Sequence, residues 1–357
     1  MAGAERAAEA LHEPDAPRRP ESRPQPHPAT PPSCDGTQYT SHTRGNQSAG
    51  GSAGVPPARP CYHHGVRYHG AVIRPPSEAS SLIVQVTYGC SNNTCDFCGT
   101  YLDKPFGVRP FYEVVDDVIG LPSNVRGRLR RVFLADGDAL ALSPRKLHDI
   151  LDLLHRALPA LERVSSYANA RNLLAKSVEE LAGLRQNGLD LLYLGLESGD
   201  DQTLASIHKG MTVAEQIEGC RRASEAGIQL SITAILGLAG STRSREHGKA
   251  TAEALSAIDP AYVGILTLML TPGTAMERKV ASGEVVLPDS IGMLRELRGI
   301  VTDLDVSDCL FRSNHASNYL PVGGRLPQDK QALLAVLDKV LLAPESVQLR
   351  PESWRLL

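Results

Sequence analysis

Aromatic residues are scarce in this 357-residue chain, 4% in all with a single Trp. That scarcity argues against a surface that holds single-stranded nucleic acid by stacking bases on rings. Net charge is small too, −3 with a pI near 6.4, so no global field draws the chain to nucleic acid or to an anionic membrane. No apolar run reaches the roughly 18 residues of a membrane span. Basic residues near the N-terminus, Arg18 and Arg19 among them, are followed by no apolar stretch, which excludes a signal peptide. Cysteine is sparse as well, with seven residues at Cys34, Cys61, Cys90, Cys95, Cys98, Cys220 and Cys309. An odd number with one tight group does not read as a secreted disulfide framework; a reducing, cytoplasmic setting fits better.

Residues 1–60 are rich in Pro, Ala, Gly, Ser and Arg and poor in Ile, Leu, Phe and Val. Such a segment buries too little apolar surface to offset its ordering entropy, and a disordered tail is expected. From about residue 80 the pattern changes. Strands are expected at Leu82–Thr87, Arg131–Leu134, Arg163–Tyr167, Leu189–Leu196, Gln229–Leu236 and Tyr262–Met269, with helices between. Ser143-Pro144, and the boxes Ser177 with Glu180 and Thr212 with Glu215, mark helix starts. Gly188 and Gly227 mark helix stops. Near-continuously apolar strands imply a parallel sheet covered on both faces. The alternation fits an open doubly wound sheet or a barrel, and in both ligands sit at the carboxyl ends of the strands. A core over about 70–275 and a C-terminal α/β extension over 276–357 follow, the latter with a helix near Asp289–Leu304, a strand near Ser307–Arg312 and a helix near Gln328–Leu342.

The first strand runs into Gly89 and then Cys90, Cys95 and Cys98, a C-x4-C-x2-C loop. Three metal readings compete. A structural zinc needs a fourth ligand, and no second C-x2-C or His pair follows nearby. A two-iron ferredoxin shares the first three spacings, but the next cysteine, Cys220, lies on an expected helix. A four-iron cubane held by three thiolates leaves one iron open. Gly89, Phe97 and Gly99 around the cysteines, at the start of a βα repeat, favour this third reading.

At this point the sequence resembles the radical S-adenosylmethionine (SAM) superfamily over about residues 70–320, with one residue more between the first two cysteines than the usual C-x3-C-x2-C. Ala135-Asp136-Gly137-Asp138 resembles the family's Gly-Gly-Glu turn, which implies contact of Gly137 and Asp138 with the SAM amino group. Ser165-Ser166-Tyr167-Ala168-Asn169 follows the third strand, with Ser166 suited to ribose or carboxylate. Gly195-Leu196-Glu197-Ser198-Gly199 resembles a GxESG stretch, continued by His208-Lys209-Gly210. Gly237 sits in a glycine-bearing adenine motif, and Leu268–Thr274 matches a backbone-to-adenine segment. The resemblance implies a partial (β/α)6 TIM-like barrel, a [4Fe-4S] cluster on Cys90, Cys95 and Cys98, SAM as cofactor with Phe97 beside it, and an enzyme that generates a 5′-deoxyadenosyl radical. It also implies a small-molecule substrate and an electron donor such as flavodoxin or ferredoxin, without nucleic acid or membrane. His315 and Cys309 are candidate catalytic groups. The competing classes are an iron–sulfur electron carrier, a SAM-binding protein without turnover, and a zinc-dependent α/β enzyme.

Overall fold

The computed structural model describes residues 61–63 and 66–356; the expected tail over residues 1–60 lies outside them. Eight strands form one sheet in strictly sequential order. They are β1 (Leu82–Gln85), β2 (Arg131–Ala135), β3 (Arg163–Ala168), β4 (Leu189–Glu197), β5 (Gln229–Leu236), β6 (Tyr262–Thr267), β7 (Cys309–Ser313) and β8 (Val322–Leu326). Neighbours from β1 to β7 pair in parallel and β8 returns antiparallel. The principal helices are α1 (Phe111–Ile119), α2 (Pro144–Ala157), α3 (Val178–Gln186), α4 (Val213–Glu225), α5 (Ser244–Ile258), α6 (Ser290–Asp303) and α7 (Lys330–Leu342).

The strand order decides between the two architectures that periodicity left open. A doubly wound sheet needs a point where the order reverses. Here every crossover steps the same way, so right-handed connections put the helices on one side. The sheet curls around its other face into a partial barrel, and no ladder joins β1 to β8.

Local signals act as expected. Both boxes, Ser177 with Glu180 and Thr212 with Glu215, make their two reciprocal hydrogen bonds. Gly188 and Gly227 take φ of +91° and +80° at the ends of α3 and α4, where a Cβ would be strained. Ser143 precedes Pro144 of α2, but its side chain makes no capping bond.

The two faces of the sheet differ in chemistry. Val132, Leu134, Leu192, Leu194, Ile232 and Val263 face the helices in one continuous core. On the inner face Phe133, Ala135, Leu191 and Tyr193 are buried, with Ile83, Tyr167 and Tyr262 beside them. The Phe133 ring meets Tyr167 edge-on at 4.9 Å and Tyr193 at 5.9 Å. Below them, at the amino ends of the strands, buried Glu78 accepts from Arg163 (2.6 Å) and from the Tyr193 hydroxyl (2.7 Å) and closes that end. Along β5 and β6 the inner positions include Ser231, Thr233, Ile235, Gly264 and Leu266, all half-buried. This corrects the expectation of strands covered on both faces: the inner face of β5 and β6 stays partly accessible.

The C-terminal segment joins the same fold. β7 and β8 lengthen the one sheet, and α6 and α7 pack into the core shared by the other helices. β8 carries Gly323 and Gly324, which suppress a strand signal; pairing to β7 holds it extended. Replacing Phe133 by Ala removes the central ring of the inner cluster. A loss of about 3–5 kcal/mol is expected, read as a lower denaturant midpoint at unchanged m-value.

Candidate metal and cofactor site

Every motif singled out from the sequence, apart from those noted below, lies at the carboxyl ends of the strands. The cysteine loop starts with a tight turn at Gly89, φ +62°, where a Cβ would fall 2.2 Å from the Lys104 carbonyl oxygen. The Gly89 N–H donates to buried Asp136 at 3.2 Å. The Gln85 amide and the Lys104 ammonium meet the same carboxylate oxygen. Phe97, half-buried, packs against Leu204, Ile207, Leu238, Leu268 and Met276, and so anchors the loop. Asp96 pairs with His208 and Lys279, each at 2.8 Å. Gly99 lies so near Thr271, after β6, that a Cβ would come within 2.2 Å of its methyl.

The Cys90, Cys95 and Cys98 thiols are free and half-buried. Burial pushes Cys90 and Cys95 up to about 11, against a partial pull from the Lys209 charge. Ionising them at neutral pH therefore needs a strong Lewis acid bound to sulfur. Among the described residues no group of three or more His, Cys, Asp or Glu side chains gathers around one point. Three thiols at separate places on one loop suit a cluster, whose irons are ligated one by one, better than a single tetrahedral ion.

Two carboxylates stand over the loop. Asp138 is fully buried; its Oδ2 accepts from Ser91 and from Asn172, while Oδ1 has no partner. Burial raises its pKa from 3.8 to about 6. Gly137 beside it is held so close that a Cβ would lie 2.6 Å from the Tyr101 ring and 3.0 Å from Cys90 Cβ. Glu197 ends β4 with φ +65°, a left-handed conformation uncommon outside glycine. Its carboxylate folds back over Gly195, where a Cβ would fall 1.8 Å from Oε1, and binds Lys209 Nζ at 2.9 Å. An unpartnered buried acid oxygen beside three thiols fits a ligand that brings an ammonium group.

Gly237, φ +85°, ends β5; its N–H donates to buried Glu296 at 3.0 Å, and a Cβ would strike Met293. The Leu268 carbonyl, after β6, accepts from Arg355 at 2.6 Å. Other expected residues are not brought in. Ser166 sits in register with Leu134 and Leu192 on the helix side, its hydroxyl within reach of the Leu134 and Tyr167 carbonyls. Cys309 begins β7 at the opposite end of the barrel, fully buried, with its thiol pushed up to about 12 by burial. His315 lies on the β7–β8 loop; it bonds Ser317, its carbonyl accepts from Arg350, and burial lowers its pKa. Ser91, Asn172 and Glu296 are parts of the site that sequence reasoning did not single out. Their signal, polar residues four to six positions past a strand or on an outer helix, is indistinguishable from ordinary loop and surface chemistry.

The Asp138 shift has a stability consequence. Between about pH 4 and 6 the folded metal-free chain retains a proton that the unfolded chain has released, so stability falls as pH rises through that window. Asp138→Asn removes the cost. The variant is expected to melt higher than the parent at pH 7.5, by up to about 3 kcal/mol, and the gap should close as pH is lowered toward 4 in a thermal scan of metal-free protein.

Residues 84–249 match the model of the Radical SAM superfamily. The heme chaperone HemW of Bacillus subtilis is 26% identical over 162 residues, 45% of this chain and 42% of that protein. An uncharacterized protein of Methanopyrus kandleri is 30% identical over 173 residues, 45% of this chain and 32% of that one. The chain thus spans less than half the length of these curated relatives. Among solved structures, the coproporphyrinogen III oxidase HemN of Escherichia coli, a radical SAM enzyme, aligns with a TM-score of 0.49 at 17% identity, covering 62% of this chain and 52% of that one. Residues 84–249 are thus similar to the radical SAM superfamily, whose cofactors are a [4Fe-4S] cluster and S-adenosylmethionine.

Proposed function

We propose that this protein is a radical SAM enzyme acting on a small molecule, with Cys90, Cys95 and Cys98 as iron ligands and Asp138 as acceptor of the SAM ammonium. The observation that carries this reading is the fully buried Asp138 Oδ1, left without a donor on the turn that lies against Cys90. The bound cofactors supply one-electron cleavage of the sulfonium and a 5′-deoxyadenosyl radical able to take hydrogen from an unactivated C–H.

The chain's own residues bind and orient. Ser91 and Asn172 fix the Asp138 carboxylate through one oxygen, leaving the other for the ligand. Glu197 at the end of β4 and Gly237 after the neighbouring β5 would meet the ribose and the adenine. The Glu78 plug and the inner aromatic cluster shut the amino end of the barrel, so solvent and substrate share one entrance. The half-buried hydroxyls of Ser231 and Thr233 line the open lumen on the way to it. An electron carrier without turnover has no use for an open lumen or an unpaired carboxylate. The reductant is a one-electron donor of the flavodoxin or ferredoxin type, and a site that needs reduced thiols fits a reducing compartment such as the cytoplasm. No helix among the described residues is long and apolar enough to cross a membrane.

Anaerobically reconstituted protein given dithionite and SAM is expected to release 5′-deoxyadenosine and methionine, detected by chromatography. Cys95→Ser should release none; undiminished product from that variant would sink the reading. Asp138→Asn should keep its iron yet bind SAM about 10- to 100-fold more weakly, the ~1.5–3 kcal/mol of a charge-assisted hydrogen bond. In the parent protein SAM affinity should also weaken as pH falls below about 6 and Asp138 takes up its proton.

A further inference from the structure

Helix α5 carries a polar stripe that faces inward. Ser244, His247 and Thr251 recur at i, i+3 and i+7, so they share one side of the helix. His247 and Thr251 are fully buried, while Arg245, Glu246, Lys249 and Glu253 take the solvent side. The second half of α5 is conventional, with Ala252, Ala254, Leu255 and Ile258 in the apolar core. Buried polar side chains are costly unless they are paired, and the pairing here is with strand ends. Thr251 Oγ1 accepts from the Gly199 N–H at 3.0 Å, just past Glu197. The backbone is pressed against α5 at that point: a Cβ on Gly199 would fall 2.1 Å from the Ala250 carbonyl oxygen.

His247 serves the neighbouring strand end through Glu296 of α6. The Glu296 side chain is buried as well. Its Oε1 accepts from the Gly237 N–H at 3.0 Å and lies 2.9 Å from His247 Nδ1, and its Oε2 accepts from Ser244 Oγ. A carboxylate ringed by a backbone amide, an imidazole and a hydroxyl has little freedom to move. Gly248 makes room for it, since a Cβ there would already sit 3.4 Å from Glu296 Cγ. A further tie joins the two loops: Arg243, which precedes α5, donates to Asp200 at 2.8 Å. The backbone turns that leave β4 and β5 are thus held against one helix.

We propose that the buried stripe of α5, together with Glu296 of α6, positions the cofactor rim by holding the turns at Gly199 and Gly237 in the shape that accepts SAM. The inference rests on the reading that Glu197 and Gly237 meet the cofactor. Its basis is preorganisation. A turn that has lost its anchor spends only a fraction of its time in the binding shape, and the apparent dissociation constant rises by the inverse of that fraction. Bound SAM restores the shape, so turnover at saturation changes little. Thr251, His247 and Glu296 are positioning residues; they act through the backbone of the two turns.

Two measurements test this: SAM affinity of anaerobically reconstituted protein by equilibrium dialysis, with iron determined alongside, and backbone amide exchange in metal-free protein. Thr251→Val removes the acceptor of Gly199, and Glu296→Leu that of Gly237. Each is expected to keep its iron and to bind SAM about 5- to 50-fold more weakly. The kcat for 5′-deoxyadenosine release at saturating SAM should stay near the parent value. Amide exchange should quicken around Gly199 in the first variant and around Gly237 in the second. Thr251→Ser and Glu296→Gln retain an acceptor and should behave as the parent does. Leu151→Ala, in the core on α2, provides a chain destabilised elsewhere, and its SAM affinity should not move. Parent-like affinity in Thr251→Val and Glu296→Leu, or an equal loss in Leu151→Ala, would overturn the proposal while leaving the cofactor reading standing. Parent protein that carries iron but binds no SAM would instead remove that reading and the proposal with it. If Glu296→Leu fails to fold, Thr251→Val decides by the same criterion.

Discussion

Acidic groups buried together at one mouth dominate the physics of this molecule. Two thiols, the Asp138 carboxylate and the Glu197 carboxylate share the carboxyl ends of the first four strands. Removing them from water disfavours their charged forms, which is why Cys90, Cys95 and Asp138 all hold their protons more tightly than usual. The chain answers only part of this demand. Lys209 meets Glu197, and Lys176 acts on Asp138 from a distance. The remainder calls for positive charge from outside, which the proposed iron at the sulfurs and ammonium at Asp138 would supply. A site assembled this way is poised in favour of its ligands by the cost of lacking them.

Such a mouth forms only if several separate loops converge, and strand order provides the convergence. With each crossover stepping the same way, the segments after β1 to β6 all arrive at one rim. Their alignment is then locked from the other end. Glu78 holds Arg163 at the start of β3 and Tyr193 midway along β4, while the Phe133, Tyr167 and Tyr193 rings fill the space between them. Glu78 and the rings close one end of the barrel, while the motif loops gather at the other. The same division separates structure from chemistry: the closed end carries the packing, the open end the titratable groups.

Much of this was legible in the chain itself. Capping boxes and helix-ending glycines are local signals, and Ser177, Thr212, Gly188 and Gly227 act as their neighbours dictate. The cysteine spacing, Gly137 and Glu197 were legible because close backbone approach and a carboxylate at a strand end are unusual enough to stand out. Ser166 was misleading for a geometric reason. The ladder between β3 and β4 slips at Val164 and Ser165, and side-chain direction in a strand alternates, so a hydroxyl at the right distance from the strand end still faces the helices. Cys309 carried no signal of which end of its strand it occupies. Asn172 and Ser91 become functional only through a carboxylate that is 34 and 47 residues away in sequence, and no local pattern records such pairing.

The additional residue between the first two cysteines shows how the two scales meet. A longer loop has more conformations to lose on folding and needs more fixed contacts to hold its sulfurs in place. Within the gap, Asn92 and Thr94 donate to the carbonyls of Lys209 and His208, and just beyond it the Asp96 backbone donates to Ile207. Those donors exist only because the gap is filled by side chains able to reach across. The segment they reach is the one that turns back after β4 and carries Lys209, whose ammonium pairs with Glu197. Lengthening the loop and shaping the turn after β4 are therefore coupled: the same hydrogen bonds that restrain the extra residue hold that turn against the cysteine loop.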